Sequence, residues 1–142
     1  MKKILELGSG ISLCKEEGEV VRIDIHYYPD VDYVWDLEEG LPAGCNFSES
    51  FDVVVASHVF EHIVRLRRLL HEIFRVLKPS GLLKVRYPIG HNSFESIDHV
   101  HYFNERTFDV FVTDRGVNVG DFWLIEQKEV RETEVEVWLR KS

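Results

Sequence analysis

The chain opens with a short apolar run that breaks on a glycine pair, Ile4-Leu5-Glu6-Leu7-Gly8-Ser9-Gly10, followed by a second apolar run that ends in a carboxylate, Val20-Val21-Arg22-Ile23-Asp24-Ile25. Runs this short, bounded by glycines, are strands and not helices. If the two strands are parallel neighbours, the glycine turn and Asp24 meet at the same edge of a sheet. In open α/β sheets that edge, at the carboxyl ends of the strands, is where ligands sit. Gly8 and Gly10 permit φ > 0 and let a ligand approach the backbone. A dinucleotide-type fingerprint would place a third glycine where Leu13 stands, so that fingerprint is incomplete. Asp24 follows Gly8 by 16 residues (24 − 8), against about 20 in that fingerprint. The shorter spacing leaves Ile11 to Glu19, with Gly18 near its end, for a helix of about two turns.

The remaining elements follow from pattern. Tyr33-Val34-Trp35-Asp36 reads as a third strand, reached from Asp24 through a loop rich in aromatics and proline, His26-Tyr27-Tyr28-Pro29-Asp30. Leu37 to Ser50 carries Gly40, Pro42, Gly44 and Asn46 and reads as loop. Phe51 to Ser57 is apolar without evident alternation, as in a central parallel strand buried on both faces. Leu66, Leu69, Leu70, Ile73, Phe74 and Leu77 form one helical stripe, with Arg67, Arg68, His71, Glu72 and Arg75 opposite. Lys78-Pro79-Ser80-Gly81 ends that helix, and Leu82 to Tyr87 is a fifth strand. His91 to His101 is a polar loop, Asn104 caps a helix from Glu105 to about Arg115 and Gly116, and alternation around Phe122–Ile125 and Val135–Leu139 gives a C-terminal hairpin. The fold class is α/β: one mostly parallel sheet, an antiparallel hairpin at its edge, and reduced helices on one face. Residues 1–142 are expected to form a single domain.

Composition narrows the function classes. A net charge of −8 disfavours nucleic acid. The basic face of Arg65, Arg67, Arg68 and Arg75 is expected to be solvated helix surface. No apolar run approaches the ~20 residues of a membrane span. Met1-Lys2-Lys3 leads directly into a strand without a signal-like segment, and Cys14 and Cys45 fit no zinc or disulfide spacing. A reduced, cytoplasmic protein is the expectation.

Taken in order, four segments resemble class I S-adenosylmethionine-dependent methyltransferases. Leu5-Glu6-Leu7-Gly8-Ser9-Gly10 resembles the first motif of that family, and Ile23-Asp24-Ile25 its ribose-binding acid. Asp36-Leu37, Leu41-Pro42 and Ser50-Phe51-Asp52-Val53-Val54 resemble the adenine-contacting loop and fourth strand. Ser57-His58-Val59-Phe60-Glu61-His62-Ile63, with Glu72 to Gly81, resembles the turn after strand four and the helix leading to a K-P-x-G corner. The likeness runs over roughly residues 3 to 115, and the hairpin fits strands six and seven. It implies a Rossmann-like fold, S-adenosylmethionine as cofactor, and a small-molecule methyl acceptor. It also implies roles: the Gly8-Ser9-Gly10 backbone beside the methionine portion, Glu6 on its ammonium, Asp24 and Ile25 at the ribose, Asp36 and Leu37 at adenine, Ser57 and His58 under the sulfonium. The Ser-His-Val-Phe turn departs from the Asn/Asp-Pro-Pro-Tyr of many amine-methylating members, which argues against a nucleobase or amide nitrogen as acceptor.

Two further expectations concern the reduced helices and the histidines. Aromatic segments around Tyr27, Tyr28, Trp35 and Phe47, or a second subunit in a homodimer, are expected to cover the face the short helices leave bare. The alternative to an enzyme is a catalytically inactive domain of the same type that binds cofactor or a protein partner. His58-Val59-Phe60-Glu61-His62 spells H-x-x-E-H, a metallopeptidase pattern, and His91, His99, His101 and Asp98 suggest a second metal grouping. The resemblance accounts for the first set together with its neighbours, so no metal is expected. No catalytic residue is assigned; one of His58, His62, His99 or His101 is the candidate general base.

Overall fold

A computed structural model describes residues 1–10, 13–114 and 120–142. Strands β1 (Lys3–Leu7), β2 (Glu19–Asp24), β3 (Tyr33–Val34) and β4 (Phe51–Ser57) precede helix α1 (Leu66–Val76). There follow β5 (Leu77–Pro88), the single turn α2 (His91–Phe94), α3 (Thr107–Thr113), β6 (Trp123–Val130) and β7 (Glu134–Lys141). The strands order as β3-β2-β1-β4-β5-β7-β6. The first five run parallel; β7 is antiparallel to β5 and to β6. The chain thus starts in the middle of the sheet, works outward to β3, and returns to β4 on the other side of β1. Strand β1 is therefore flanked by β2 and β4, which brings the ends of all three together.

One sheet face carries the core. Leu5, Leu7, Ile23, Val54, Ala56, Leu83, Val85, Val137 and Leu139 pack there with Leu69, Leu70, Ile73 and Val76 of α1. Burying each such leucine, isoleucine or valine side chain stabilises the fold by about 1.5–3 kcal/mol relative to exposure, so the helix is held by its stripe and not by its charged face. Phe74 meets Trp123 edge-on at 5.1 Å and ties α1 to the hairpin. The helix stops at Val76, and the chain enters β5 at once. Lys78 to Gly81 form an irregularity in that strand: Phe51 pairs Leu77, then Val53 pairs Leu82, and Ser80 takes φ +64°. The regular ladder therefore resumes at Leu82, where the sequence places the strand.

The other face differs from expectation. Residues 13–17 form no helix, while Ile11 and Ser12 lie outside the described residues, as do Arg115 and Gly116 at the end of the expected second helix. A piece of two turns is too short to stand by itself, and Cys14-Lys15-Glu16-Glu17 offers it no apolar stripe. The segment instead crosses the sheet, donating the Cys14 N–H to Glu6 Oε2 at 2.7 Å and pairing Glu16 with Lys84. Nor do the aromatics cover this face: Tyr27 and Phe47 are 75% and 61% exposed, and Trp35 hydrogen-bonds the Gly40 carbonyl. The face is instead charged. Glu6 pairs with Arg22 at 2.8 Å, Arg86 with Glu136 at 2.6 Å, and Lys84 lies 4.1 Å over the Trp138 ring. The alternation that produces this is present in β4 as well, where Val54 and Ala56 are buried and Val55 and Ser57 are half-buried. An ion-paired face tolerates water.

Candidate active-site edge

The carboxyl ends of β1, β2, β3 and β4 place the residues singled out by the resemblance. Gly8 takes φ +64° and donates its N–H to the Ile23 carbonyl at 2.8 Å. A Cβ at Gly8 would stand 2.6 Å from Val59 Cγ2, so the turn after β4 packs directly on the glycine turn. Gly10, at φ +56°, donates its N–H to Asp24 Oδ2 at 2.8 Å, and the His26 N–H reaches Asp24 Oδ1 at 2.9 Å. Asp24 is buried, and its carbonyl accepts the Trp35 N–H at 2.8 Å, which draws the end of β3 to the same point. Ser9 is half-buried between the glycines, and Ile25 is exposed just beyond Asp24. Asp36 caps a 3-10 turn, Leu37–Glu39, by accepting the Glu38 N–H at 2.9 Å. Leu37 points into the core.

Glu6 is set apart from this edge. Its side chain lies on the charged sheet face, with Oε1 on Arg22 and Oε2 on the Cys14 N–H, both oxygens engaged. It borders a groove of about 510 Å³ that also touches Leu13, Cys14, Ser57, Arg86, Glu136 and Trp138. The groove runs beside the residue 13–16 segment and reaches β4 at Ser57, and its lining contains neither the glycine turn nor Asp24. Burial pushes the Cys14 thiol above its ordinary range.

After β4 the chain turns sharply. His58 adopts φ +56° and donates its N–H to the Arg86 carbonyl at 2.8 Å. Its ring lies between Glu61, 3.7 Å from Nδ1, and Glu134, 3.6 Å from Nε2. The Glu61 carboxylate beside Nδ1 is the main cause that raises its pKa, aided by the charge of Glu134 against the opposing effects of burial and Arg86. Phe60–His62 is a 3-10 turn, so His58 and His62 do not share an α-helical face and the metallopeptidase arrangement is absent. The second grouping is not formed either: His101 Nε2 is held by the Ile63 carbonyl at 2.6 Å, and His99 stacks edge-on against His62, ring centroids 4.8 Å apart. The sequence reading missed Arg22, Arg86 and Glu134 as neighbours of these residues. The alternating Arg-x-Asp, Lys-x-Arg and Glu-x-Glu of β2, β5 and β7 is the pattern that could have found them.

The sequence profile of the methyltransferase domain family matches residues 7–85, more than half of the chain. The chain belongs to that family. A phthiotriol/phenolphthiotriol dimycocerosates methyltransferase of Mycobacterium tuberculosis is 41% identical over 76 residues, 51% of this chain and 23% of that protein. The chain thus matches under a quarter of the length of that curated relative. A solved S-adenosylmethionine-dependent methyltransferase of Archaeoglobus fulgidus superposes with a TM-score of 0.72 at 19% identity, covering 99% of this chain and 86% of that one. The cyclase SpnF superposes with a TM-score of 0.72 at 13% identity, covering 99% and 74%. The methyltransferase domain therefore has the fold its family membership requires. No described helix is long and apolar enough to cross a membrane.

Proposed function

We propose that this methyltransferase domain binds S-adenosylmethionine along the carboxyl ends of β1 to β4 and transfers its methyl group to a small-molecule acceptor. The Gly10–Asp24 hydrogen bond carries the reading, because it locks the glycine turn to a buried carboxylate at the edge where such folds take ligands. Each Asp24 oxygen has one protein donor and retains a lone pair for a ribose hydroxyl. Ile25, Tyr27 and Trp35 present exposed apolar surface at that edge, the kind of patch that marks a binding site. Leu37 would serve adenine through its backbone, since its side chain is in the core, and Asp36 would flank it. An incoming ammonium would share Glu6 with Arg22 and the Cys14 N–H. Ser57 and His58, packed beside Gly8 through Val59, would lie nearest the transferred methyl.

The donor supplies a cationic sulfonium whose methyl carbon is already activated. What the protein contributes is alignment of the acceptor, which can account for roughly 7–11 kcal/mol of a displacement barrier. On the acceptor side Phe94, Ile97 and Tyr102 are exposed, and the tilted rings of Phe94 and Tyr102 meet at 5.3 Å between centroids, which suits an apolar or aromatic small molecule. Titration calorimetry with S-adenosylmethionine and S-adenosylhomocysteine tests the site: saturable heat is expected, and none at millimolar ligand removes the proposal.

A second reading is a domain that binds the cofactor or a protein partner without methyl transfer. The irregular residue 13–17 segment, in place of a covering helix, favours it, and the likeness to a cyclase structure shows that this fold is compatible with other chemistry. Binding of the donor with no transfer of labelled methyl to any of a panel of hydroxylated and carboxylated small molecules would favour that second reading.

A further inference from the structure

We propose that Glu61, His62 and His99 form a binding site for a divalent first-row transition-metal ion of the zinc type. The three side chains each bring a ligand atom within 4.8 Å of the others. His62 Nε2 stands 3.9 Å from Glu61 Oε2. A tetrahedral ion with bonds of 2.0–2.1 Å holds its ligand atoms roughly 3.3 Å apart, so closing on the ion needs movements of up to about 1.5 Å, within reach of the partly exposed His62 ring.

The site is built by the backbone and not only by proximity. The Glu61 carbonyl accepts the Val100 N–H at 2.8 Å and the His101 N–H at 3.2 Å. Those two bonds fix the His99 loop against the turn that bears Glu61 and His62. Both imidazoles have Nδ1 turned to a backbone carbonyl. His99 Nδ1 lies 2.9 Å from the Ser93 carbonyl, and His62 Nδ1 lies 3.2 Å from the Asp98 carbonyl. A carbonyl can only accept, so Nδ1 carries the proton in each ring and Nε2 presents its lone pair, the tautomer that carbonyl partners impose on metal-bound histidines. His101 is the contrast: its Nε2 is the atom held by a carbonyl, that of Ile63.

An independent observation points to a missing ligand. Glu61 is 1% exposed, and its Oε1 has no hydrogen-bond partner. Leaving a buried carboxylate oxygen unpaired is costly, and the groups facing its other oxygen are the rings of His58 at 3.7 Å and His62 at 3.9 Å. An ion held by both carboxylate oxygens of Glu61 would satisfy it. Two imidazoles and one carboxylate suit zinc and its first-row neighbours and not magnesium or calcium, which require oxygen donors. Three protein ligands leave coordination positions for water or another small ligand.

Calorimetry on the untagged, chelator-treated protein titrated with zinc chloride tests this. One equivalent is expected to bind, with affinity lowered at least ten-fold in His62→Ala, in His99→Ala and in Glu61→Gln. His91→Ala, in α2 outside the cluster, is expected to match wild type. Circular dichroism checks each fold; should Glu61→Gln not fold, the two histidine variants decide. Absence of saturable binding up to millimolar zinc, wild-type affinity in both histidine variants, or an equal loss in His91→Ala overturns the assignment.

Discussion

Gly10 and Asp24 are joined by a 2.8 Å hydrogen bond across 14 residues of chain, from the backbone of the glycine turn to the carboxylate at the end of the neighbouring strand. The same Asp24 oxygen pair that would receive ribose hydroxyls also sets the shape of the turn beside it. Loss of the carboxylate should therefore act twice, on direct contact and on preorganisation. A hydrogen bond to a charged group contributes about 1.5–3 kcal/mol, so Asp24→Ala is expected to weaken S-adenosylhomocysteine binding by about ten-fold or more in calorimetry. Asp24→Asn keeps one acceptor oxygen and is expected to fall between. Unchanged affinity in both variants would place the cofactor elsewhere.

Gly8 and Val59 make a second constraint at the same edge. An alanine at position 8 meets two separable costs: the left-handed backbone at φ +64°, and overlap with Val59 Cγ2 at 2.6 Å. The first costs about 1–2 kcal/mol and the overlap about 1–3 kcal/mol. Urea unfolding of Gly8→Ala is expected to show both. In a Val59→Ala background the same substitution should show only the backbone cost. Equal losses in the two backgrounds would mean that the turn after β4 does not pack on Gly8.

These two contacts mark the limit of what the sequence discloses. The strands and α1 are legible because their residues are locally periodic or densely apolar. Leu69, Leu70 and Ile73 are spaced for one helix face and are buried on it. Asp24 and Gly10 are legible as partners because adjacent parallel strands bring their ends together. The charged face is not. In Val54-Val55-Ala56-Ser57 the apolar run hides an alternation that only burial reveals. The histidine cluster escapes for another reason: H-x-x-E-H is written for a helix, whereas the chain forms a 3-10 turn there and recruits His99 from 37 residues on (99 − 62). Contacts of that range depend on loop packing, which no local pattern encodes.

The Glu6–Arg22 pair is the most buried part of the charged face, with side chains 4% and 17% exposed. The two residues are direct neighbours in the β1–β2 register. Removing one partner from a buried pair leaves an uncompensated charge, a cost of 3–5 kcal/mol in full burial. With Arg22 partly solvated and the Cys14 N–H still on Glu6, Arg22→Met is expected to cost about 2–4 kcal/mol. Adding Glu6→Gln should recover most of it, since the unpaired charge is then gone. Chemical denaturation of the two single variants and the double variant measures the coupling; additive losses would show that the pair contributes nothing jointly.

Asp52 gives the fold a defined response to acid. Its Oδ2 accepts the Lys3 N–H at 2.8 Å, and Lys78 Nζ lies 3.3 Å away, so one carboxylate at the start of β4 ties down β1 and the β5 irregularity. The Lys3 N–H, and then Lys78, hold its pKa below the ordinary 3.8 despite partial burial. A carboxylate depressed in the folded state contributes stability that is present above its unfolded pKa and lost as pH falls through the folded value. Wild type should therefore lose stability from about pH 4 downward, beyond the loss shown by Asp52→Asn. That variant is expected to start lower at pH 7 and to converge with wild type at about pH 2, where both side chains are neutral. Urea midpoints measured at pH 7, 4, 3 and 2 test it. Parallel curves for the two proteins over the whole range would remove Asp52 as the titrating group.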